Sequence, residues 1–376
     1  MPETSTQRAL IDNLREALRE HDGAQFVNVL ETHISFVLLT GPYAYKVKKA
    51  VKFDFLDFST LALRRFYCQE ELRLNRRCAP QLYLEVLAIK GSAETPVIEG
   101  AGPAIEYAVK MIEFPQENLA DRLLARGELR KEHIDALAIK LAVLHRSCGR
   151  AAPDSPHGVP KLILQQAREA LSGTRKLLGE PADLADLDKL EKWTEQEFAA
   201  RSNIFAKRKF DGLVRECHGD LHLGNVALAN GEILLFDCIE FSEDLRWIDV
   251  MSDVAFLFMD LLARERVDFG YRFINSYLEV TGDYEGLSVL RFYVVYRAMV
   301  RAEITLLGMS QCMDGEKTKL AKIARDYLNL AKRWAQPMQP ASAALILMHG
   351  LSGSGKTTVS QDILQTIGAI RLRSDV

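Results

Sequence analysis

Residues 217–241 read CHGDLHLGNVALANGEILLFDCIEF, and the reading of this stretch decides that of the rest of the chain. His218, Asp220, Leu221 and Asn225 stand at the spacing H-x-D-L-x-x-x-N, and an apolar run at 233–236 leads straight into Asp237. The expected local structure is a loop carrying one acid, a short strand pair, and a second acid on the next strand. A zinc pair is the first competing reading, because His218 and His222 lie four apart. Gly219 stands where H-E-x-x-H requires glutamate, however, and Gly219 with Gly224 opposes the continuous helix that zinc pair needs. The second competitor is a solvated polar loop. Four specified residues at fixed spacing arise by chance with a probability on the order of one percent or less in a chain of ordinary composition.

The spacing is the catalytic-loop signature of kinase-like phosphotransferases. HGDLHLGN followed by FDCIEF resembles the aminoglycoside phosphotransferase and choline kinase family, in which HGDLxxxN stands where protein kinases carry HRDLxxxN. The whole chain resembles bacterial two-part proteins that fuse such a domain to a P-loop domain. The resemblance implies that Asp220 accepts the proton of an attacking hydroxyl while Asn225 and Asp237 hold Mg²⁺ against the phosphates of ATP. Positioning and charge neutralisation then do most of the catalysis. Asp253, within SDVAF, matches the family position that hydrogen-bonds the catalytic-loop backbone, and with His218 it is expected to support that loop from behind. Asp237 is followed by Cys238 and Ile239, not by Phe and Gly, so a protein-kinase style switch is not expected at this loop.

Composition agrees with a folded enzyme and excludes several classes. A chain of 376 residues is long enough for two or more domains, and 48% hydrophobic with 26% charged residues is the balance of a soluble globular protein. A formal charge of −3 provides no electrostatic case for nucleic acid or an anionic membrane. No apolar run approaches the roughly 20 residues of a transmembrane helix. MPETSTQRALIDN has no apolar signal core, so a cytoplasmic location is expected. Cys68, Cys78, Cys148, Cys217, Cys238 and Cys312 form no C-x-x-C pair, as expected of buried thiols in a reducing compartment.

In chain order, Thr4 or Ser5 caps a helix carrying Leu10, Ile11, Leu14 and Leu18 at helical spacing, which ends near Gly23. Strands at 34–39 and 43–49 flank Thr40, Gly41 and Pro42, as in a nucleotide-covering hairpin, although a full glycine-rich loop is absent. Ala44-x-Lys46 matches the A-x-K that places a lysine on the ATP phosphates. Lys48 lies on the same strand face, so Lys46 is preferred over Lys48 without being separated from it. The helix at 61–77 supplies Glu70 or Glu71 as the lysine's partner. Glu71 is preferred because it shares a face with Leu74 and Cys78, with Ala79-Pro80 closing the helix.

After a strand at 83–89, AIEYAVKMIEF at 104–114 resembles the hinge whose backbone binds adenine, with 111–114, including Met111 and Glu113, as its contact points. Helices follow at 119–126 and 133–148, with His145 read as structural, and a proline-rich loop occupies 150–160. The charged helical stretch 161–209 occupies the place where the family walls its substrate. WIDVMSDVAFLFMDLL at 247–262 reads as one amphipathic helix, with Asp249 as a cap or a substrate-facing acid. Arg297 and Arg301 are four apart on an apolar helix and are expected to face the cleft and bind an anionic substrate group or product phosphate; pairing with local acids is the alternative.

A charged helix at 316–333 is followed by a linker, QPMQP, and an apolar strand at 344–348. Residues 350–357 then satisfy G-x-x-x-x-G-K-[ST], the P-loop. Gly350, Gly353 and Gly355 shape a phosphate cradle, Lys356 reaches the β and γ phosphates, and Thr357 contacts Mg²⁺ beside Thr358. A second strand is expected at 370–372, with a substrate-binding acid at Ser374-Asp375. About one βαβ unit cannot cover a sheet on both faces, so this piece is expected to belong to a longer P-loop domain, small-molecule kinase-like or AAA-type, and to be poorly ordered or docked on the domain before it.

The expected fold class is therefore α+β: a bilobal protein-kinase-like fold, with a small β-rich N-lobe and a mainly helical C-lobe, followed by the start of an α/β P-loop domain. The boundaries expected are 1–115, 116–335, a linker at 336–342, and 343–376. The expected activity is ATP- and Mg²⁺-dependent phosphorylation of a hydroxyl group on a small molecule. The alternative is a nucleotide-binding regulatory module that controls a C-terminal P-loop kinase or ATPase. Neither the acceptor nor the oligomeric state can be read from these residues.

Overall fold

The computed structural model describes residues 2–53, 56–309, 314–336 and 344–373. Cys312, most of the 336–342 linker, and Ser374-Asp375 lie outside them. Contacts divide the chain into one unit of Met1–Leu123 with Gly224–Arg246, and another of Leu124–Leu223 with Trp247–Val376.

The first unit is built on an antiparallel six-stranded sheet. Helix α1 (Pro2–Asp22) precedes strands β1 (Asn28–Glu31), β2 (Ser35–Leu39) and β3 (Tyr43–Lys48), the short pair β4 (Lys52–Phe53) and β5 (Leu56–Asp57), helix α2 (Leu61–Asn75), and strands β6 (Tyr83–Gly91), β7 (Pro96–Ile98) and β8 (Ala104–Ile112). The sheet order is β1-β2-β3-β8-β6-β7. The β2–β3 hairpin turns at Gly41, whose φ of +97° is costly for any other residue.

Leu10, Ile11, Leu14 and Leu18 fall on one stripe of α1 and pack on Phe36, Leu38, Tyr45, Val47, Leu87 and Ile89. Each such buried side chain contributes about 1.5–3 kcal/mol. Because side chains alternate along a strand, Tyr45 and Val47 facing α1 leave Lys46 and Lys48 on the opposite face. Helix α2 covers that other face, started by Thr60, whose hydroxyl accepts the Leu63 amide, and packed through Cys68 on Leu82, Tyr83 and Val109. The hairpin β10 (Val226–Ala229) and β11 (Glu232–Leu235) completes the unit with the one-turn helix α7 (Glu243–Arg246). Asn230 and Gly231 take φ of +52° and +80°, as a two-residue hairpin turn needs.

The second unit is mainly helical. The short α3 (Ala120–Ala125) leads into α4 (Lys131–Ser147), α5 (Pro160–Leu177), α6 (Pro181–Phe210), the two-stranded ladder of β9 (Val214–Glu216) and β12 (Trp247–Asp249), and helices α8 (Val250–Ala263), α9 (Val267–Thr281), α10 (Leu287–Met309), α11 (Asp314–Trp334) and α12 (Lys356–Ile367). Every residue from Val250 to Leu262 is buried, so α8 is a central core helix instead of the amphipathic one expected. Its helix also starts later. Residues 247–249 pair with β9, and Asp249 caps α8 by accepting the Met251 amide at 2.9 Å. Asp249 also accepts both Nε and Nη2 of the buried Arg208, at 2.7 and 2.8 Å, which accounts for this acid as a structural anchor.

The strands expected at 344–348 and 370–372 are not formed; a strand needs a ladder partner, and none pairs with them among the described residues. Helix α12 does form, and it docks on α9. Asn275 donates to the Ala369 carbonyl at 2.9 Å and accepts the Arg371 amide at 2.6 Å, while Arg371 Nε reaches Glu279 at 2.7 Å.

Candidate active site

In the first unit, β3 presents two lysines to one glutamate on α2. Lys46 Nζ lies 2.9 Å from Glu71 Oε1 and 2.5 Å from Asp237 Oδ1. Lys48 Nζ lies 2.7 Å from Glu71 Oε2 and also bonds Glu240. The Glu71 side chain is fully buried, whereas Glu70 pairs with Arg73 at 2.8 Å. Lys46 retains 12% side-chain exposure and Lys48 none, so Lys46 is the lysine at the accessible edge of the cluster. Burial opposes the charge on Lys46, but Asp237 and then Glu71 outweigh it and hold the ammonium well above its ordinary range. Burial likewise opposes the charge of Glu71, and Lys46 and Lys48 hold it below the usual carboxylate range.

Asp237 does not lie on a strand as expected. It follows the end of β11 in the left-handed region, with φ of +64°. Aspartate tolerates that conformation at a cost on the order of 1 kcal/mol. Its backbone is held there by side chains from α2 and β6: the Asp237 amide donates to Tyr83 Oη at 3.2 Å, and the Cys238 amide donates to Asn75 Oδ1 at 2.9 Å. Asn225 closes the 3₁₀ turn before β10, and its carbonyl accepts the Phe236 amide at 3.1 Å. The register pairs Val226 with Leu235, so Asn225 and Asp237 flank the same open end of the hairpin. Two residues with hard oxygen donors at one end of a hairpin, one of them a carboxylate with 41% side-chain exposure, fit Mg²⁺.

The residues expected to form the hinge are tied to the sheet. Met111 pairs with Ala44, the Glu113 amide donates to the Pro42 carbonyl at 3.1 Å, and its carboxylate accepts the Gly41 amide at 2.8 Å. Glu113 therefore braces the β2–β3 turn.

In the second unit, Asp253 on α8 organises the loop that carries Asp220. Its carboxylate accepts the amides of His218 at 2.7 Å and Gly219 at 2.9 Å, and His145 Nε2 stands 3.3 Å away. Two helical turns on, Asp260 accepts the Leu223 amide at 2.9 Å and the Tyr327 hydroxyl at 3.2 Å. Asp260 was not singled out in the sequence, although its i+7 position puts it on the stripe of Asp253. The Asp220 carboxylate is 3.5 Å from His222 Nε2, another residue given no role on sequence grounds. Burial disfavours its charge, but His222, then Arg301 and His218, hold it well below the usual carboxylate range. It is a carboxylate at neutral pH, a hydrogen-bond acceptor more than a strong base.

The two arginines of α10 differ. Arg297 is buried, its Nε donating to Ser252 Oγ at 3.1 Å and its guanidinium 4.8 Å from the Phe256 ring centroid. Arg301 is part-buried beside Tyr327 at 5.8 Å, and its Nε has no hydrogen-bond partner. His145, Cys217 and Asp253 lie close enough to suggest a metal, but His145 bonds Tyr277 at 2.9 Å, Cys217 Sγ lies 3.5 Å from the Ile248 carbonyl, and Asp253 holds its two amides. They form a polar core.

The P-loop turn is shaped by Gly350, Gly353 and Gly355, with φ of +151°, +76° and +81°. Lys356 Nζ donates to the Gly350 and Leu351 carbonyls, each at 2.7 Å, and Thr357 and Thr358 stand exposed on the first turn of α12. Unpaired amides at that helix start, a lysine and a hydroxyl fit a nucleotide phosphate with Mg²⁺.

Residues 79–293 match the profile described as the phosphotransferase enzyme family. The chain belongs to that family. Its fold is of the α+β class expected, with a sheet-bearing first unit and a mainly helical second one, and residues 345–376 match an AAA domain, consistent with the P-loop. The phosphotransferase is 31% identical over 350 residues to an uncharacterized protein of Mycobacterium tuberculosis, covering 93% of this chain and 67% of the relative, and it matches a Mycobacterium bovis protein to the same extent. Among solved structures it is similar to the GDP complex of aminoglycoside 2'-phosphotransferase-IIIa, at 13% identity and TM-score 0.48 over 85% of this chain and 97% of that one. It is also similar to a choline/ethanolamine kinase family protein of Mesorhizobium loti, at 11% identity and TM-score 0.47 over 86% and 99%. No described helix is long and apolar enough to cross a membrane.

Proposed function

We propose that this phosphotransferase transfers the terminal phosphoryl group of ATP to a hydroxyl of a small molecule, with Asp220 as the base. The observation that carries the reading is the meeting of Lys46, Glu71 and Asp237. A strand lysine, a helix glutamate and a post-hairpin aspartate, brought from distant stretches of chain, converge within 2.9 Å of one ammonium group.

Mg-ATP, when bound, supplies the electrophilic phosphorus and the charge that neutralises the leaving diphosphate. Lys46 is the residue to turn from Asp237 toward phosphate oxygens, with Glu71 fixing its position. Asn225 and Asp237 are the metal donors, and the backbone of residues 111–114 is the adenine contact. Asp220 orients the acceptor hydroxyl and takes its proton as the new oxygen–phosphorus bond forms and the bond to the leaving diphosphate breaks. A carboxylate held at low basicity suits a loose transition state, in which the proton leaves late. Asp253 positions that carboxylate through the loop backbone, and Arg301 is the candidate for binding an anionic part of the acceptor or the product phosphate.

The test is Mg-ATP turnover against a panel of hydroxyl metabolites, comparing wild type with Asp220→Asn and Lys356→Ala. Loss of product in the first variant and its survival in the second support this reading. Turnover indifferent to Asp220 would refute it and leave the domain as a regulatory nucleotide sensor for the P-loop.

A further inference from the structure

Lys48 is a lysine with no exposed side-chain surface, and Glu240, its partner, is 4% exposed. Taking two ions out of water costs several kcal/mol each, and apolar side chains of similar volume would often pack there at least as stably. The pair therefore calls for a role beyond cohesion. Lys48 does not reach solvent, whereas Lys46, two residues earlier on the same face, keeps some exposure. Glu240 follows Asp237 by three residues and is anchored by Arg246, which donates to its carbonyl at 3.0 Å. Lys48 also sits 4.9 Å from the Phe58 ring centroid and holds the second oxygen of Glu71.

From this geometry we propose that Lys48 and Glu240 form a positioning pair that presets the Asp237 loop for its metal, a role that rests on the proposed function. The physical reason is the sharing of Glu71. In the reading above, Lys46 and Asp237 part company when nucleotide enters, since each acquires a new partner. Glu71 then keeps Lys48, and Lys48 keeps Glu240, so the loop stays tied to β3 and α2 at a point the ligand does not touch. Asp237 is followed by two fastenings, the Cys238 amide on Asn75 and Glu240 on Lys48. Cys238 and Ile239 stand where protein kinases carry the Phe and Gly that switch between active and inactive settings, and these fastenings hold the loop in one setting.

The test uses the full chain with Lys356→Ala in every arm, so that the kinase-like site dominates nucleotide binding, and reads binding by calorimetry with Mg²⁺ and with EDTA. Glu240→Gln and Lys48→Met should each weaken Mg²⁺-dependent ATP binding roughly 10–100-fold, the usual effect of losing a partner that orients a metal ligand, while metal-free binding shifts less than about threefold. The double variant should be no weaker than the worse single one, because the two residues act as a unit. Glu240→Asp and Lys48→Arg should recover part of the loss. Should either neutral variant fail to fold, these charge-conserving ones carry the comparison, with thermal unfolding run beside them. Additive losses would overturn the proposal, since Glu240 would then act independently of Lys48, and so would unchanged Mg²⁺ dependence in folded variants. Absence of Mg²⁺-dependent nucleotide binding in the parent would instead refute the proposed function, and the pair's role with it.

Discussion

Replacing Asp253 by asparagine should loosen the loop that carries Asp220 without changing side-chain volume. The carboxylate accepts two backbone amides, at 2.7 and 2.9 Å, inside a helix face that is fully buried. An asparagine has one acceptor oxygen, so one of the two amides would face a donor. Losing a charge-assisted bond and leaving a buried N–H unsatisfied costs on the order of 2–4 kcal/mol. If that cost falls on local opening, exchange of the His218 and Gly219 amides should accelerate roughly 30- to 1000-fold, at about 1.4 kcal/mol per decade. Hydrogen exchange resolved to residues 217–223 reads this directly, and the turnover assay should show a lowered kcat. The pH dependence follows from the same contacts. Burial disfavours the charge of Asp253, but His145 holds its carboxyl below the usual range. Its stabilisation is therefore present above the ordinary carboxylate pKa and is lost as pH falls through the depressed folded value, so the gap between wild type and variant should close on acidification. Exchange at both amides unchanged within about threefold would refute the reasoning, because the carboxylate would not be what holds the loop.

Glu303 on α10 carries the opposite shift: burial, with Lys176 opposing and Glu169 reinforcing it, pushes its carboxyl up to about 7. The folded chain then binds a proton that the unfolded chain releases near pH 4–5, so stability should decline as pH rises from about 4.5 through 7, and Glu303→Gln should flatten that slope in urea titrations at about pH 5 and about pH 8. Arg208 makes paired bonds to Asp249 and Asp283, all within 2.8 Å. Arg208→Ala leaves buried acids without their cation and should cost about 3–5 kcal/mol in chemical denaturation; a loss below about 1 kcal/mol would mean that these acids find another partner.

Much of the candidate site was legible because short-range geometry is tied to sequence spacing. A two-residue period places Lys46 and Lys48 on one face, a helix started by Thr60 and ended at Asn75, ahead of Ala79-Pro80, turns Glu71 inward, and the loop and hairpin of 218–237 bring Asn225 and Asp237 to one end of a ladder. The limits were also physical. Lys46 and Lys48 are chemically equivalent in sequence, and only their depth in the fold separates the accessible one from the one sealed against Glu240. Residues 247–249 continue an apolar run into α8, and pairing with β9 makes them a strand. An apolar stretch at 344–348 has strand composition, but composition does not supply a neighbouring strand.

The sequence by itself determined which side chains stand at these spacings and the order in which they occur, since spacing, turn residues and side-chain type are local properties of the chain. Tertiary structure decided which of them are partners. Glu240 on Lys48, Asp260 on the Leu223 amide, Arg208 between two acids and Arg371 on Glu279 are contacts across 37 to 192 residues of chain. Such pairings depend on which buried charge finds an opposite charge when surfaces close over it, a condition that no local pattern encodes.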